Sequence, residues 1–301
     1  MTRKAKKVST AISLPAAVKS FLGHLEGTGK ARHTIQNYKW DLRQFERFLV
    51  NDVGTRNPAR LDQALRGLSI RDVEKFGDYL KREGQKANTR RRRVLTLRRF
   101  IRYTVNRKKL GLDVAARVPA PDKIERVPVV LNGAEVLRMI DQITQSRDRA
   151  IYQTIWETGC TVSELVRLKW RDVEGHTLTF GAASSYRQLR ISSTLKSYFD
   201  HLRPPEHLNT ASPVFTAQRG GVRISSLAMS PRAVEQLFNS YSKRFGPSSI
   251  VPRTLRHSAI LTWLRDRVST DEIKKRLGLK SDYAFRIYQP LVKSEAMEQD
   301  Q

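Results

Sequence analysis

Thr158-Gly159-Cys160-Thr161-Val162-Ser163-Glu164-Leu165, followed by Leu168-Lys169-Trp170-Arg171-Asp172, is the stretch on which the reading of this chain turns. Thr158-Gly159 ends a helix expected over Arg147–Glu157, because glycine enters the left-handed turn after a helix at no steric cost. Val162 to Leu168 then reads as a short helix. Beyond it, residues 173–181 and 186–192 alternate apolar and polar, the period of two strands in a small sheet. Helices are expected near Thr194–Leu202, Ser230–Phe245, Thr254–Arg265 and Thr270–Leu277, with a turn at Gln218-Arg219-Gly220-Gly221. The last of these helices starts at Thr270 without a Glu at Ile273 to complete a capping box, although Asp271 and Glu272 suit the first-turn dipole. Upstream, a helix fits Gly133–Gln142.

The N-terminal half reads as helices throughout. One fits Leu14–Glu26, with Val18, Phe21, Leu22 and Leu25 at helical spacing. A second starts near Thr34 and carries Ile35, Tyr38, Leu42, Phe45, Phe48 and Leu49 along one stripe. A third fits Ser69–Arg82, capped by Ser69. A fourth follows Asn88-Thr89 to about Arg107, with Val94, Leu97, Ile101 and Val105 set among Arg90, Arg91, Arg92, Arg93, Arg98, Arg99 and Arg102. Four helices with short connections make a bundle. The domains are therefore expected as a disordered basic arm (1–10), a helical domain (11–117), a proline-punctuated linker (118–128) and a second domain (129–301).

Bulk properties narrow the partner. The chain has 301 residues and 39% hydrophobic content, enough for two cores. No run reaches the roughly 18–20 apolar residues that span a bilayer. The basic Met1-Thr2-Arg3-Lys4 start has no apolar segment behind it, so it is not a secretory signal. Cys160 is the single cysteine, which excludes an intrachain disulfide and fits a reducing, cytoplasmic compartment. The six His are scattered, so neither a metal nor a cofactor is expected. Net charge is +27. About +19 of it falls in residues 1–120 and about +8 in the rest, a surplus that phosphate contacts explain better than a merely solvated face. Nucleic acid is the expected partner, ahead of a membrane surface or a small molecule.

Two further islands accompany the opening stretch: Val251-Pro252-Arg253-Thr254-Leu255-Arg256-His257, and Leu277-Gly278-Leu279 running to Ile287-Tyr288. Together the three resemble the tyrosine recombinase family (phage integrase, Xer-type), whose members read roughly T-G-L-R-V-S-E-L, H-x-L-R-H and L-G-H…Y. Thr34-Ile35-Gln36-Asn37-Tyr38…Asp41-Leu42…Phe45 and Thr89…Arg92…Leu95…Leu97-Arg98…Phe100 resemble the two signatures of its core-binding domain. The resemblance implies a mainly α protein with a small β-sheet. An N-terminal SAM-like core-binding bundle and a C-terminal α+β catalytic-type domain would form a C-shaped clamp on DNA.

It also implies a chemistry. In the family a Tyr oxygen attacks a DNA phosphodiester, leaving a 3′-phosphotyrosyl link and a free 5′-hydroxyl, without a metal. Two Arg, a Lys on a β-turn and two His (or His and Trp) meet the developing charge. Tyr288, Arg256 and His257 match family positions. Four positions depart: Thr161 replaces the first Arg, Ser185 the Lys, Arg253 the first His of the His-x-x-Arg box, and Leu279 the second His. Thr and Ser bring no positive charge, and Leu cannot donate at all. Each lost donor costs about 10²–10³ in rate, though losses do not add.

Three readings stay open. The chain is a double-stranded DNA-binding relative that has lost strand cleavage and acts as an architectural, nucleoid-associated or regulatory factor, alone or with an active paralogue. Alternatively it is an active integrase that rebuilds its cationic pocket from Arg253 with Arg187, Arg190 or Lys280. An unrelated RNA- or ribosome-binding protein fits less well, because the aromatic residues follow core spacing. The residues expected on DNA are Arg90–Arg93, Arg98, Arg99, Arg102, Lys39, Arg43, Arg187, Arg190 and Arg253. The arginine helix contacts either phosphates or base edges.

Overall fold

The computed structural model describes residues 14–51, 70–108, 122–125, 127–181, 186–203, 210–220, 222–245 and 250–292. The expected basic arm, the Ser69 cap and residues 118–121 and 126 of the proline linker lie outside that set. The chain separates into two compact units, Met1–Glu125 and Arg126–Gln301.

The first unit contains α1 (Leu14–Gly27), α2 (Arg32–Asn51), α3 (Ile70–Arg82) and α4 (Ala87–Lys108). Each presents one apolar stripe inward. Phe21 and Leu25 of α1, Leu42, Phe45 and Phe48 of α2, Phe76 and Leu80 of α3, and Val94, Leu97 and Phe100 of α4 are almost wholly buried. Phe45 and Phe76 meet edge to face at 5.3 Å and 83°. Each such side chain contributes about 1.5–3 kcal/mol by leaving water, so the stripes hold the bundle together. Phe100 belongs to this core beside the residues expected from spacing.

The second unit is α+β. It runs α5 (Gly133–Asp141), α6 (Ser146–Thr158), the four-residue α7 (Val162–Leu165), β1 (Val173–Glu174), β2 (Thr177–Phe180), β3 (Arg187–Arg190), α8 (Ser193–Leu202), β4 (Thr216–Arg219), β5 (Val222–Ala228), α9 (Pro231–Phe245), α10 (Pro252–Arg265) and α11 (Thr270–Leu277). A 3₁₀ helix, Asp282–Tyr288, follows. The first sheet is antiparallel in the order β1-β2-β3, with Thr177 opposite Arg190 and Phe180 opposite Arg187. Sequence alternation suggests two strands here. The first run is in fact split by a turn at Gly175, whose φ of 53° is open to glycine. Tyr152 of α6 stacks on Phe238 of α9 at 3.9 Å in the centre of the core.

Two expectations change. Gln218 and Arg219, expected in a turn, belong to strand β4 and pair with Arg223 and Val222 of β5. The cap of α11 is Ser269, not Thr270: the Ser269 hydroxyl accepts from the Glu272 N–H at 3.2 Å.

Candidate functional site

The three islands meet in the second unit, and two glycines help them do so. Gly159 ends α6 in the left-handed conformation, φ 59°. A Cβ there would lie 2.8 Å from Leu277 and 3.0 Å from Trp263, so only glycine lets α6 approach α10 and α11 this closely. Gly278 ends α11 in the same way, φ 65°, with the Arg187 side chain lying against it. Each glycine thus closes the helix that leads into its island.

α10 starts at Pro252, whose missing N–H costs nothing at a helix start. Its first turns carry Arg253, Arg256 and His257. The 3₁₀ helix brings Tyr288 to His257, with the Tyr288 oxygen 2.5 Å from Nδ1 of the imidazole. The Arg253 Nε–H donates to His257 Nε2 at 3.0 Å. Arg256 donates to the Gly159 carbonyl and lies 4.0 Å from the Glu164 carboxylate. Tyr288, Arg256, His257 and Arg253 are thus brought together.

Their electrostatics follow from burial. Tyr288 is 2% exposed. Burial pushes its phenol up to about 12, against the opposing pull of Arg256 and Arg253. Burial, then Arg253 and Arg256, pushes the His257 imidazole down to about 4, so it is neutral at pH 7. Burial also lowers the Arg256 guanidinium from its ordinary value, with Glu164 opposing. Cys160, wholly buried, is pushed up to about 12, mainly by that burial, and is no nucleophile at neutral pH.

The departing positions have structural employment. Thr161 caps α7. Its hydroxyl lies 2.8 Å from Glu164 Oε2, and its N–H donates to the same oxygen at 2.7 Å. Leu279 is partly buried against the small core formed by Ile260, Leu261, Ile273, Leu277, Phe285 and Tyr288. Ser185 lies outside the described residues.

Arg187 departs from expectation. It was expected on the DNA-facing surface, but its side chain is 7% exposed. Its guanidinium pairs with Glu164 at 2.6 Å, donates to the Arg276 carbonyl at 2.7 Å and covers the Phe180 ring at 4.7 Å. The cause is the pleat: opposite Phe180, Arg187 points to the inner face of the sheet, whereas Arg190 is exposed. Glu164, absent from the sequence candidates, joins Thr161, Arg187 and Arg256. Burial works to raise its pKa. The Arg187 hydrogen bond and the Thr161 N–H outweigh that and hold it below the usual carboxylate range. An acid three residues after a cap position was the available signal, and it also fits a plain capping box.

In the first unit the arginine helix α4 lies against α2. Arg92, Arg99 and Arg102 are exposed, as are Lys39 and Arg43 of α2, while Arg90, Arg91, Arg93 and Arg98 are partly covered. Arg99 donates to the Tyr38 hydroxyl at 2.9 Å. Beneath this surface sits Asp41, with its side chain 1% exposed. It pairs with Arg92, accepts from Thr96 at 3.0 Å and lies 3.5 Å from Arg93 Nε. Burial raises its pKa, and Arg92, Thr96 and Arg93 only partly offset that. Asp41 was also absent from the candidates. A carboxylate between Tyr38 and Phe45 on an apolar face requires a buried partner, and that was its signal. Lys123, Asn88 and Thr34 join these residues around a cavity of about 700 Å³, a size within the usual range for ligand clefts.

Among the described residues, no group of three or more His, Cys, Asp or Glu is arranged to hold a metal. No helix among them is long and apolar enough to cross a membrane.

Known families and structures match both units of the chain. Residues 130–295 match the model of the phage integrase family, and residues 18–108 that of the phage integrase N-terminal SAM-like domain. The chain is 25% identical to tyrosine recombinase XerD of Listeria monocytogenes over 282 residues, covering 88% of this chain and 90% of that one. It is 27% identical to tyrosine recombinase XerC of Herpetosiphon aurantiacus over 299 residues, covering 94% and 93%. Its fold is similar to that of lambda integrase residues 75–356, solved as a dimer bound to a core site. The TM-score there is 0.70 at 17% identity, over 91% of this chain and 97% of the other. The Tn1549 transposon integrase gives a TM-score of 0.66 at 14% identity, over 90% and 94%.

Proposed function

Because the chain belongs to the phage integrase family of tyrosine recombinases, we propose that it binds double-stranded DNA and holds it without cutting it, as an architectural or regulatory factor in the cytoplasmic nucleoid. The observation that carries this reading is the state of the first arginine position. Thr161 stands there with its hydroxyl and N–H turned to Glu164, and the nearest substitute cation, Arg187, is committed to Glu164 and the Arg276 carbonyl. Of the family's cationic donors, Arg256 remains, itself tied to the Gly159 carbonyl. Removing one such donor costs a phosphoryl transition state about 2.7–4 kcal/mol, and several are missing here, although their losses do not add.

Binding needs none of the lost groups. Exposed Arg92, Arg99, Arg102, Lys39 and Arg43 form the proposed phosphate-facing surface, with Arg90, Arg91, Arg93 and Arg98 beside them. Arg190 and Arg253, both exposed, extend the proposed contacts to the second unit. A second copy or an active relative on the same DNA is a compatible partner. Nicked suicide duplexes test the reading. Binding should occur and weaken steeply with salt, by about 0.9 log units per log unit of salt for each phosphate neutralised. No covalent adduct at Tyr288 should form.

One observation favours a second reading, in which cleavage survives. The Tyr288 oxygen lies 2.5 Å from His257, and Arg253 occupies the first position of the His-x-x-Arg box. On that reading Arg253→Ala abolishes adduct formation while DNA binding persists.

A further inference from the structure

His257 touches two partners through its two ring nitrogens, and their hydrogen-bonding rules are not equal. A guanidinium has donors and no acceptor, whereas a phenol oxygen can do either. Arg253 presents Nε–H to His257 Nε2 at 3.0 Å, so Nε2 must offer its lone pair. A neutral imidazole carries one proton, which then sits on Nδ1, 2.5 Å from the Tyr288 oxygen. The opposite tautomer would set an Nε2–H against the Arg253 N–H, two donors facing each other. A doubly protonated ring would do the same, and burial beside Arg253 and Arg256 already disfavours it.

We propose that Arg253 is a positioning residue that locks His257 in its Nδ1–H tautomer, so that the imidazole donates to the Tyr288 oxygen and has no lone pair with which to remove the phenol proton. The proposal deepens the reading of this site as one that grips without cutting. The Tyr288 hydroxyl hydrogen is left for an acceptor other than His257, and a DNA phosphate oxygen is such an acceptor. Arg253 thereby does more than fill a vacant histidine position. It converts the neighbouring histidine from a potential base into a donor.

The test reads the tautomer directly and needs neither DNA nor cleavage, so its failure leaves the DNA-binding reading standing. The full chain is labelled with nitrogen-15 in its histidine rings, and two-bond proton–nitrogen correlation spectra are recorded at neutral pH, with His257→Gln assigning the signal. The wild-type ring should show a protonated Nδ1 and a bare Nε2. Tyr288→Phe should keep that pattern, because Arg253 imposes it. Arg253→Lys, which retains a donor, should keep it as well. Arg253→Leu should lose it, with Nε2–H becoming the major form. A bare Nδ1 in the wild type overturns the proposal. So does a switch to Nε2–H in Tyr288→Phe, which would show the phenol and not Arg253 in control, or an unchanged pattern in a folded Arg253→Leu. Should Arg253→Leu fail to fold, the wild-type and Tyr288→Phe spectra decide the matter.

Discussion

The two units use arginine in opposite ways. In the first, α4 and α2 hold one buried acid, Asp41, bridged to Arg92, under a surface whose outer cations Arg99 and Arg102 face solvent. In the second, Arg187 and Arg256 turn inward onto one shared acid, Glu164, and onto the carbonyls of Arg276 and Gly159. A guanidinium costs several kcal/mol to desolvate, so a buried one is spent on its partner, whereas an exposed one remains able to meet a phosphate. Charge composition alone, +27 over the chain, does not separate these cases.

Substitutions can break or sharpen the contrast. Asp41→Ala should have a large effect, lowering the stability of the first unit by about 3 kcal/mol in urea titration, because it leaves the largely covered Arg93 without its counter-charge. The raised Asp41 pKa shows that the arginines offset its desolvation incompletely. Removing the acid still leaves the greater deficit, an uncompensated cation. A loss below about 1 kcal/mol would mean that water reaches those arginines freely. Glu164→Gln should cost the second unit about 2 kcal/mol, since Arg187 and Arg256 lose their counter-charge while the Thr161 cap keeps an acceptor.

The paired variants Arg99→Ala/Arg102→Ala and Arg187→Ala sharpen the comparison most directly. The first should leave the urea midpoint within about 0.5 kcal/mol of wild type and reduce the salt dependence of DNA binding by up to about two phosphates' worth. The second should do the reverse, lowering stability with an unchanged salt slope. A loss of salt slope in Arg187→Ala would put its guanidinium on DNA after all.

A last contrast is a pH slope of opposite sign in the two units. His257 titrates at about 4 in the folded chain against an ordinary 6.5. The unfolded chain therefore takes up the proton first, and the contribution of His257 to stability, complete above about 6.5, is lost as pH falls towards 4. The Asp41 pKa is raised, so the folded first unit takes up that proton first and gains stability as pH falls through its folded value. Thermal unfolding between pH 7 and pH 4 should show the second unit weakening, and His257→Gln should remove that part of the slope. An unchanged slope in His257→Gln would place the acid sensitivity elsewhere.

Sequence determined the elements wherever one residue type has one physical use. Apolar stripes at helical spacing set α1, α2 and α4 to within a few residues, and Gly159 marked a helix end because φ near 60° is open to little else. The likeness of three sequence islands to tyrosine recombinase motifs also pointed to Tyr288, Arg256 and His257 as one site. Sequence missed β4 and β5, where the alternation of Val222-Arg223-Ile224-Ser225 breaks at Ser226, and it did not show that Arg187 turns inward. Tertiary structure alone decided which arginines are spent on Glu164 and Asp41, and which nitrogen of His257 faces Tyr288. The reason is physical: helical and strand periods are local, but the partner of a charged side chain is chosen by residues distant in the chain, such as Asp41 for Arg92 and Glu164 for Arg187.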